Sequence, residues 1–414
     1  MTNKKLFTRD FTLVVIGQII SLFGNATIRF ALPLYLMNLT GSAALFGAVT
    51  ACAFIPSVLV SPVGGIIADR INKRNIMVAL DFFTAAVILL FSLLKNDANV
   101  VVLLTVTLML LYGIAGAYQP SVQASIPSLV NQENYVAANS VVNVINSLSA
   151  LTGPALGGVL YSAYGLEPVL WVCIICFFVS AVMEIFIRMP FQKQPSGGGI
   201  WKTVKGDFRE SFRFIIKEEP AVCRGLLAVC GINLFLSAMI NVGMPYLITE
   251  VMDLGAFNPN QLYGFAEGTL AAGGLAGGIC VGVLAGKLVI QKAGNLLILA
   301  SLCVFPMGIS FLLFRTGMIN YLVMVVCCFA IMIFSTIFSV QAMSFVQART
   351  PQALIGKVIA VMLTISMCAH PLGSMLYGFL FEAAEGKEFA VVLFAGAVSF
   401  LIAVKTKKIF KEFA

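Results

Sequence analysis

Long apolar runs separated by short polar breaks organise this chain from end to end. They fall at 11–36, 43–68, 75–94, 98–122, 139–164 and 168–189, then at 221–248, 261–286, 294–314, 319–345, 356–381 and 388–404. Each is close to the roughly 20 residues that an α-helix needs to cross the hydrocarbon core of a bilayer. None shows the short two-residue alternation of a membrane β-barrel strand. The pattern predicts an all-α membrane protein with twelve spans, six on either side of a polar stretch at 190–220. The expected domains are therefore an N-terminal half at 1–190, a cytoplasmic linker at 191–220 and a C-terminal half at 221–414.

The halves echo one another. Ser121-Val122-Gln123-Ala124 recurs as Ser339-Val340-Gln341-Ala342, and Leu156-Gly157-Gly158-Val159-Leu160-Tyr161 as Leu372-Gly373-Ser374-Met375-Leu376-Tyr377. Leu45-Phe46-Gly47 pairs with Leu262-Tyr263-Gly264, and Leu22-Phe23 and Pro33 with Leu234-Phe235 and Pro245. The offsets stay between 212 and 218 and keep chain order. Two halves in parallel repeat predict a substrate site at their interface, near the bilayer midplane.

Composition sharpens this picture. The 414 residues are 60% hydrophobic and only 11% charged, with a mean hydropathy of +0.98. A soluble protein carries about 25% charged residues, so a soluble enzyme is excluded. The net charge of +8 does not signal nucleic-acid binding, because the basic residues sit in short groups between apolar runs. Of the 26 Lys and Arg, Lys95, Arg315 and Lys387 fall on one side of the predicted membrane and Arg29 inside the first span. All the others fall on the opposite side, which the positive-inside rule assigns to the cytoplasm together with both termini. The first run is full span length without a cleavage site, so no signal peptide is expected. The ten cysteines lie almost entirely within apolar runs, and Cys173-x-x-Cys176 reads as buried packing, not as a redox or metal motif. In the linker, Ile200, Val204, Phe208, Phe212 and Ile215 recur at helical spacing, which predicts an amphipathic helix on the membrane surface.

Motifs then narrow the class. Gly65-Ile66-Ile67-Ala68-Asp69-Arg70-Ile71-Asn72-Lys73-Arg74 resembles the G-x-x-x-D-R-x-G-R-K signature of the major facilitator superfamily, with Asn72 in place of the second glycine. Gly153-Pro154-Ala155-Leu156-Gly157-Gly158 resembles the fifth-helix motif of its antiporters, with Ser149 replacing a leading glycine. Pro120, Ile126-Pro127, Ala138-Asn139-Ser140, Gln347, Pro351 and Gly356-Lys357-Val358 resemble the macrolide-efflux branch of the drug:proton antiporters. The resemblance implies the major facilitator fold and alternating-access, proton-coupled export of lipophilic or amphipathic compounds from a bacterial cytoplasmic membrane. A lysophospholipid flippase or siderophore exporter is the alternative on the same scaffold. It also implies that Gly65, Asp69, Arg70, Lys73 and Arg74 latch the cytoplasmic side. The arginine that often partners this aspartate has no counterpart in 98–122.

The sequence contains no G-x-x-x-x-G-K-[ST] loop for an ATP-driven pump and no enzyme constellation. Isolated charges in two halves do not supply the residue rings of a channel, and a non-transporting receptor is the remaining different class. No cofactor or metal is expected; the partners are a small amphipathic substrate, protons and membrane lipids, and the chain is expected to be a monomer.

Charges within spans are costly and mark mechanism. Arg29 lies about 10 Å in from Leu36 and Glu267 about 8 Å in from Leu262, counting 1.5 Å per residue. Their similar depth predicts a pair across the halves, with Glu267 as the proton-coupling carboxylate. His370, the only histidine, and Asp81 are the next proton candidates, although a packing or capping role is open for both. Glu184, near the end of its run, reads as interfacial. Gln18, Asn25, Tyr112, Gln119, Gln123, Asn233, Asn241 and Gln341 are candidates for the substrate cavity. Gly153 and Gly157, and Gly274 and Gly278 beside Gly273 and Gly277, have the four-residue spacing that lets helices approach closely, as a sliding or a static interface.

Overall fold

The computed structural model describes residues 6–96, 99–131, 134–189, 210–284, 292–314, 316–351 and 354–412. Twelve long helices occur among them, matching the twelve apolar runs in order. They are α1 (Arg9–Thr40), α2 (Ala43–Arg70), α3 (Lys73–Leu94), α4 (Val100–Leu129), α5 (Tyr135–Tyr164) and α6 (Leu166–Ile185). Then follow α7 (Pro220–Val251), α8 (Pro259–Leu284), α9 (Ala293–Leu313, interrupted at Cys303), α10 (Gly317–Arg349), α11 (Ile355–Ala383) and α12 (Glu388–Glu412). Eleven stretches are long and apolar enough to cross a membrane by length and composition, and α11, with 29 residues, is the other long helix.

Polar side chains set the helix starts. The Phe11 amide donates to Thr8 Oγ1 at 3.2 Å. Asn99 Oδ1 accepts the Val101 and Val102 amides at 3.2 and 3.3 Å, satisfying donors that the first turn of a helix leaves open. Asn72 does the same for α3, accepting the Arg74 amide at 3.1 Å while its Nδ2 donates to the Met189 carbonyl at 3.3 Å. The departure from the signature glycine thus gives α3 a side-chain cap. Gly41 and Gly165, at φ of +61° and +76°, make turns after α1 and α5 that a side chain would strain. Lys95, which ends α3, is held below its ordinary range by burial and pairs with Glu167, to which Ser92 also donates at 3.0 Å.

The contacts divide the chain into two units: Met1–Leu36 with Cys52–Ile200, and Met37–Ala51 with Trp201–Ala414. In the first, α3 packs against α4 and α6. In the second, α9 packs against α10 and α12, the same scheme six helices later, and α8 lies along α10. The repeated glycines share a role. A Cβ on Gly157 would meet Thr27 Cγ2 of α1 at 3.2 Å, and one on Gly373 would strike the Leu234 carbonyl of α7. In each unit the fifth helix therefore approaches the first through a glycine. Each unit also has an apolar cluster of the same kind: Phe11, Met77, Val122 and Val142 in the first, Phe214, Val222, Val346 and Val358 in the second. Most of the linker lies outside the described residues; at its end, Phe212 is exposed while Phe214 and Ile215 are buried in the second cluster.

Candidate functional site

Three helices of the second unit line a half-open cavity of about 160 Å³. Leu236, Ser237, Ile240 and Asn241 line it from α7, Glu267 and Leu270 from α8, and Ile331, Met332 and Ser335 from α10. Small residues make this arrangement possible. Gly273 and Gly277 bring α8 against α10 so closely that a Cβ on either would meet the Phe329 or Ile333 carbonyl at 2.6 or 2.9 Å. Gly274 faces Met332 and Thr336 at ordinary contact distance, and nothing lies within 4 Å of a Cβ on Gly278. Six residues before Gly273, Glu267 accepts a hydrogen bond from the Tyr263 hydroxyl at 3.2 Å. The cavity is thus an apolar chamber with one carboxylate and a few neutral polar groups. That composition suits an amphipathic ligand with a cationic or hydrogen-bonding group.

The first unit carries a different arrangement. Gln18 and Ser21 of α1, Asp81 of α3, Tyr118 of α4 and Glu184 of α6 are all buried. Gln18 Nε2 donates to the Tyr118 hydroxyl at 2.6 Å, and that hydroxyl donates to Glu184 Oε1 at 2.9 Å. Ser21 donates to Asp81 Oδ1 at 3.1 Å, while the Ser180 hydroxyl donates to the Gly17 carbonyl at 3.1 Å. Glu184, expected at the interface from its place near the end of α6, is fully buried because α6 packs along α3. Neither Glu184 nor Tyr118 stood out in the sequence as a functional residue. A buried carboxylate near a span end has the same sequence position as a snorkelling one, and only the packing of α6 distinguishes them.

The other candidates scatter. The Arg29 guanidinium lies 3.5 Å from the centre of the Tyr112 ring, which in turn meets Phe54 edge-on at 5.0 Å. His370 Nδ1 is 3.4 Å from Ser374 Oγ on the next turn of α11. Asn233 donates to the Ser366 carbonyl at 3.1 Å. Gln341 is buried, Asn25 and Gln119 are half-buried and Gln123 is exposed. Gly153 and Gly157 pack on α1, with Pro154 and Gly158 buried beside them. Of the latch residues, Lys73 and Arg74 open α3, and Arg74 donates to Asn75 Oδ1 at 2.9 Å. Gly65, Asp69 and Arg70 belong to α2, and their side chains lie outside the described residues.

A comparison with protein families matches residues 14–374 to the Major Facilitator Superfamily. The chain belongs to that superfamily. It is accordingly a multi-pass membrane transporter. It is 26% identical over 379 residues to macrolide efflux protein A of Streptococcus pyogenes, covering 88% of each chain. It is 23% identical over 382 residues to the multidrug efflux pump Tap of Mycobacterium tuberculosis, covering 90% of this chain and 87% of Tap. A crystal structure of a mutant of the nucleoside transporter NupG superposes with a TM-score of 0.77 at 13% identity, covering 96% of this chain and 100% of the other. At that identity the likeness speaks for the superfamily fold alone.

Proposed function

We propose that this transporter exports amphipathic compounds, macrolides among them, across the bacterial cytoplasmic membrane in exchange for protons. The observation that carries this reading is the apolar cavity of the second unit with Glu267 in its lining. The Leu236, Ile240 and Ile331 walls suit the nonpolar part of an amphipathic compound, and Glu267 suits a protonated amine on it. A proton and a ligand amine then compete for one carboxylate, and each turnover exchanges one for the other. The efflux relatives from Streptococcus and Mycobacterium support the same substrate class. The distribution of basic residues supports both termini in the cytoplasm, with halves at 1–190 and 221–414 joined by the 191–220 linker. We assign the working unit as a monomer in contact with membrane lipid.

Expression in an efflux-deficient bacterium tests this. The expected result is reduced accumulation of erythromycin and higher tolerance to it, both abolished by a protonophore. Accumulation that is unchanged for erythromycin and for a panel of amphipathic amines, or an effect that survives the protonophore, overturns the proposal.

A further inference from the structure

We propose that the turn between α1 and α2 is a releasable clamp, held on α11 by Glu382 and let go each time the transporter opens on the side away from its termini. This inference rests on the export reading above and names a contact that must break in the cycle. The division of the chain falls inside two helices, not in a loop. Met37–Ala51, the end of α1 and the start of α2, belongs to the second unit, while both helices continue into the first. Each helix has a proline within four residues of that boundary, Pro33 in α1 and Pro56 in α2. A proline leaves the carbonyl four residues before it without a helical partner, so both helices have a weak point about which the turn can swing.

One face of α11 holds the turn. Ser374, Gly378 and Glu382 follow one another at four-residue spacing and so share one side of the helix. At the first two, the backbones themselves meet. A Cβ on Gly47 would strike the Ser374 carbonyl, and one on Gly378 would meet the Ala43 carbonyl at 2.6 Å. Glu382 closes the end of this seam. Its Oε2 accepts the Ser42 hydroxyl at 2.6 Å and the Ala44 amide at 3.0 Å. Ser42 Oγ accepts the Leu45 amide at 3.1 Å, so the first turn of α2 is capped by one residue of its own and one of α11. A carboxylate suits that place, because the open amides of a helix start carry partial positive charge. Asn38 Nδ2 adds a bond to Asn260 Oδ1 of α8 at 2.9 Å.

Both kinds of contact separate readily. Glu382 is exposed, so water takes its place on the Ser42 hydroxyl and the Ala44 amide as the carboxylate leaves. Beneath it, Gly47 and Gly378 present no side chain. Small residues let the backbones touch there without interlocking, and α2 leaves α11 with no rotamer to unlock.

Full-length protein carrying Ser42→Cys and Glu382→Cys, bridged by a short bifunctional methanethiosulfonate, tests the release. Erythromycin transport in proteoliposomes is expected to be lost on bridging and to return when a reductant cleaves the bridge. Each single-cysteine variant treated alike is expected to keep its rate. Transport by the bridged protein at its unbridged rate overturns the clamp, because the contact would then be static. Hydrogen–deuterium exchange reads the hold itself. Glu382→Ala is expected to speed exchange roughly two- to tenfold, the range of a lost helix cap, both in 40–47 and in 374–382. Wild-type exchange in both segments overturns the proposal, as does a change confined to 40–47, which a cap without a clamp would give. A wild type that transports no erythromycin overturns the export reading instead, and the exchange rates still decide the clamp. If Glu382→Ala fails to fold, Ser42→Ala supplies the same exchange comparison.

Discussion

The two units build the same helix packing and fill it with different chemistry. In the first, Asp81, Glu184, Tyr118 and Gln18 form a buried polar cluster beside α3 and α6. In the second, Ser301 stands on α9 where Asp81 stands on α3, each eight residues after the first of its helix. Its hydroxyl is turned back onto its own helix, donating to the Leu297 carbonyl at 2.8 Å. The second unit instead opens a cavity of about 160 Å³ between α7, α8 and α10 with Glu267 in its wall. A repeated scaffold thus tolerates divergence at the few positions that decide function, while the glycines that seat its helices keep their roles.

The largest expected effect breaks the second member of this comparison. Glu267→Gln keeps the shape of the cavity and removes its charge, and gradient-driven efflux is expected to fall by roughly a hundredfold or more. Uptake measurements in proteoliposomes read it, and a rate within a few-fold of wild type would move the exchanging carboxylate elsewhere.

The shared glycine seams offer a matched pair of substitutions. Gly157→Leu and Gly373→Leu each push a side chain into the first helix of their own unit. Both are expected to cost about 1–3 kcal/mol, seen as lower melting temperatures of the purified protein. Gly373→Leu should be the worse of the two, because its neighbour is the Leu234 backbone, whereas Gly157 meets the movable Thr27 methyl. Equal stability of both variants and wild type would show that the repeated glycines are not packing positions.

Smaller effects separate the helix starts. Asn72 caps α3 through its side chain, whereas Lys292, at the corresponding start of α9, makes no side-chain cap. Asn72→Ala is expected to cost about 1 kcal/mol, and Lys292→Ala close to nothing. Smallest of all, Gly278→Ala meets open space and is expected to leave stability unchanged or raise it by up to about 1 kcal/mol, in contrast to Gly273→Ala, which strikes the Phe329 carbonyl. Thermal unfolding of the four variants side by side checks both contrasts.

How much of this was legible in the sequence follows from what each feature depends on. The helices were legible because run length alone distinguishes a membrane span, and the parallel repeat because its echoes kept a constant offset. Glu267, expected as the proton-coupling carboxylate, and Asn241, expected in the substrate cavity, both line the second unit's cavity, and both stood out because a charge or an amide within an apolar run is conspicuous. Ser237 and Ser335, which share that cavity, were not, since serines within spans commonly bond their own helix, as Ser301 does. Tyr118 and Glu184 were missed for a related reason. A span that is apolar on every side gives no periodicity to say which face meets a neighbour, so the meeting of α1, α3, α4 and α6 at one buried point is a property of packing alone.

The exchange of a proton for a ligand at Glu267 is tested most directly by counting protons during ligand binding. Purified full-length protein is titrated with erythromycin in buffers of different ionisation enthalpy, which gives the number of protons exchanged per ligand bound. The account predicts that Glu267→Gln exchanges fewer protons than wild type and binds the ligand more weakly. A Glu267→Gln protein that exchanges the wild-type number of protons and binds at wild-type affinity would contradict it.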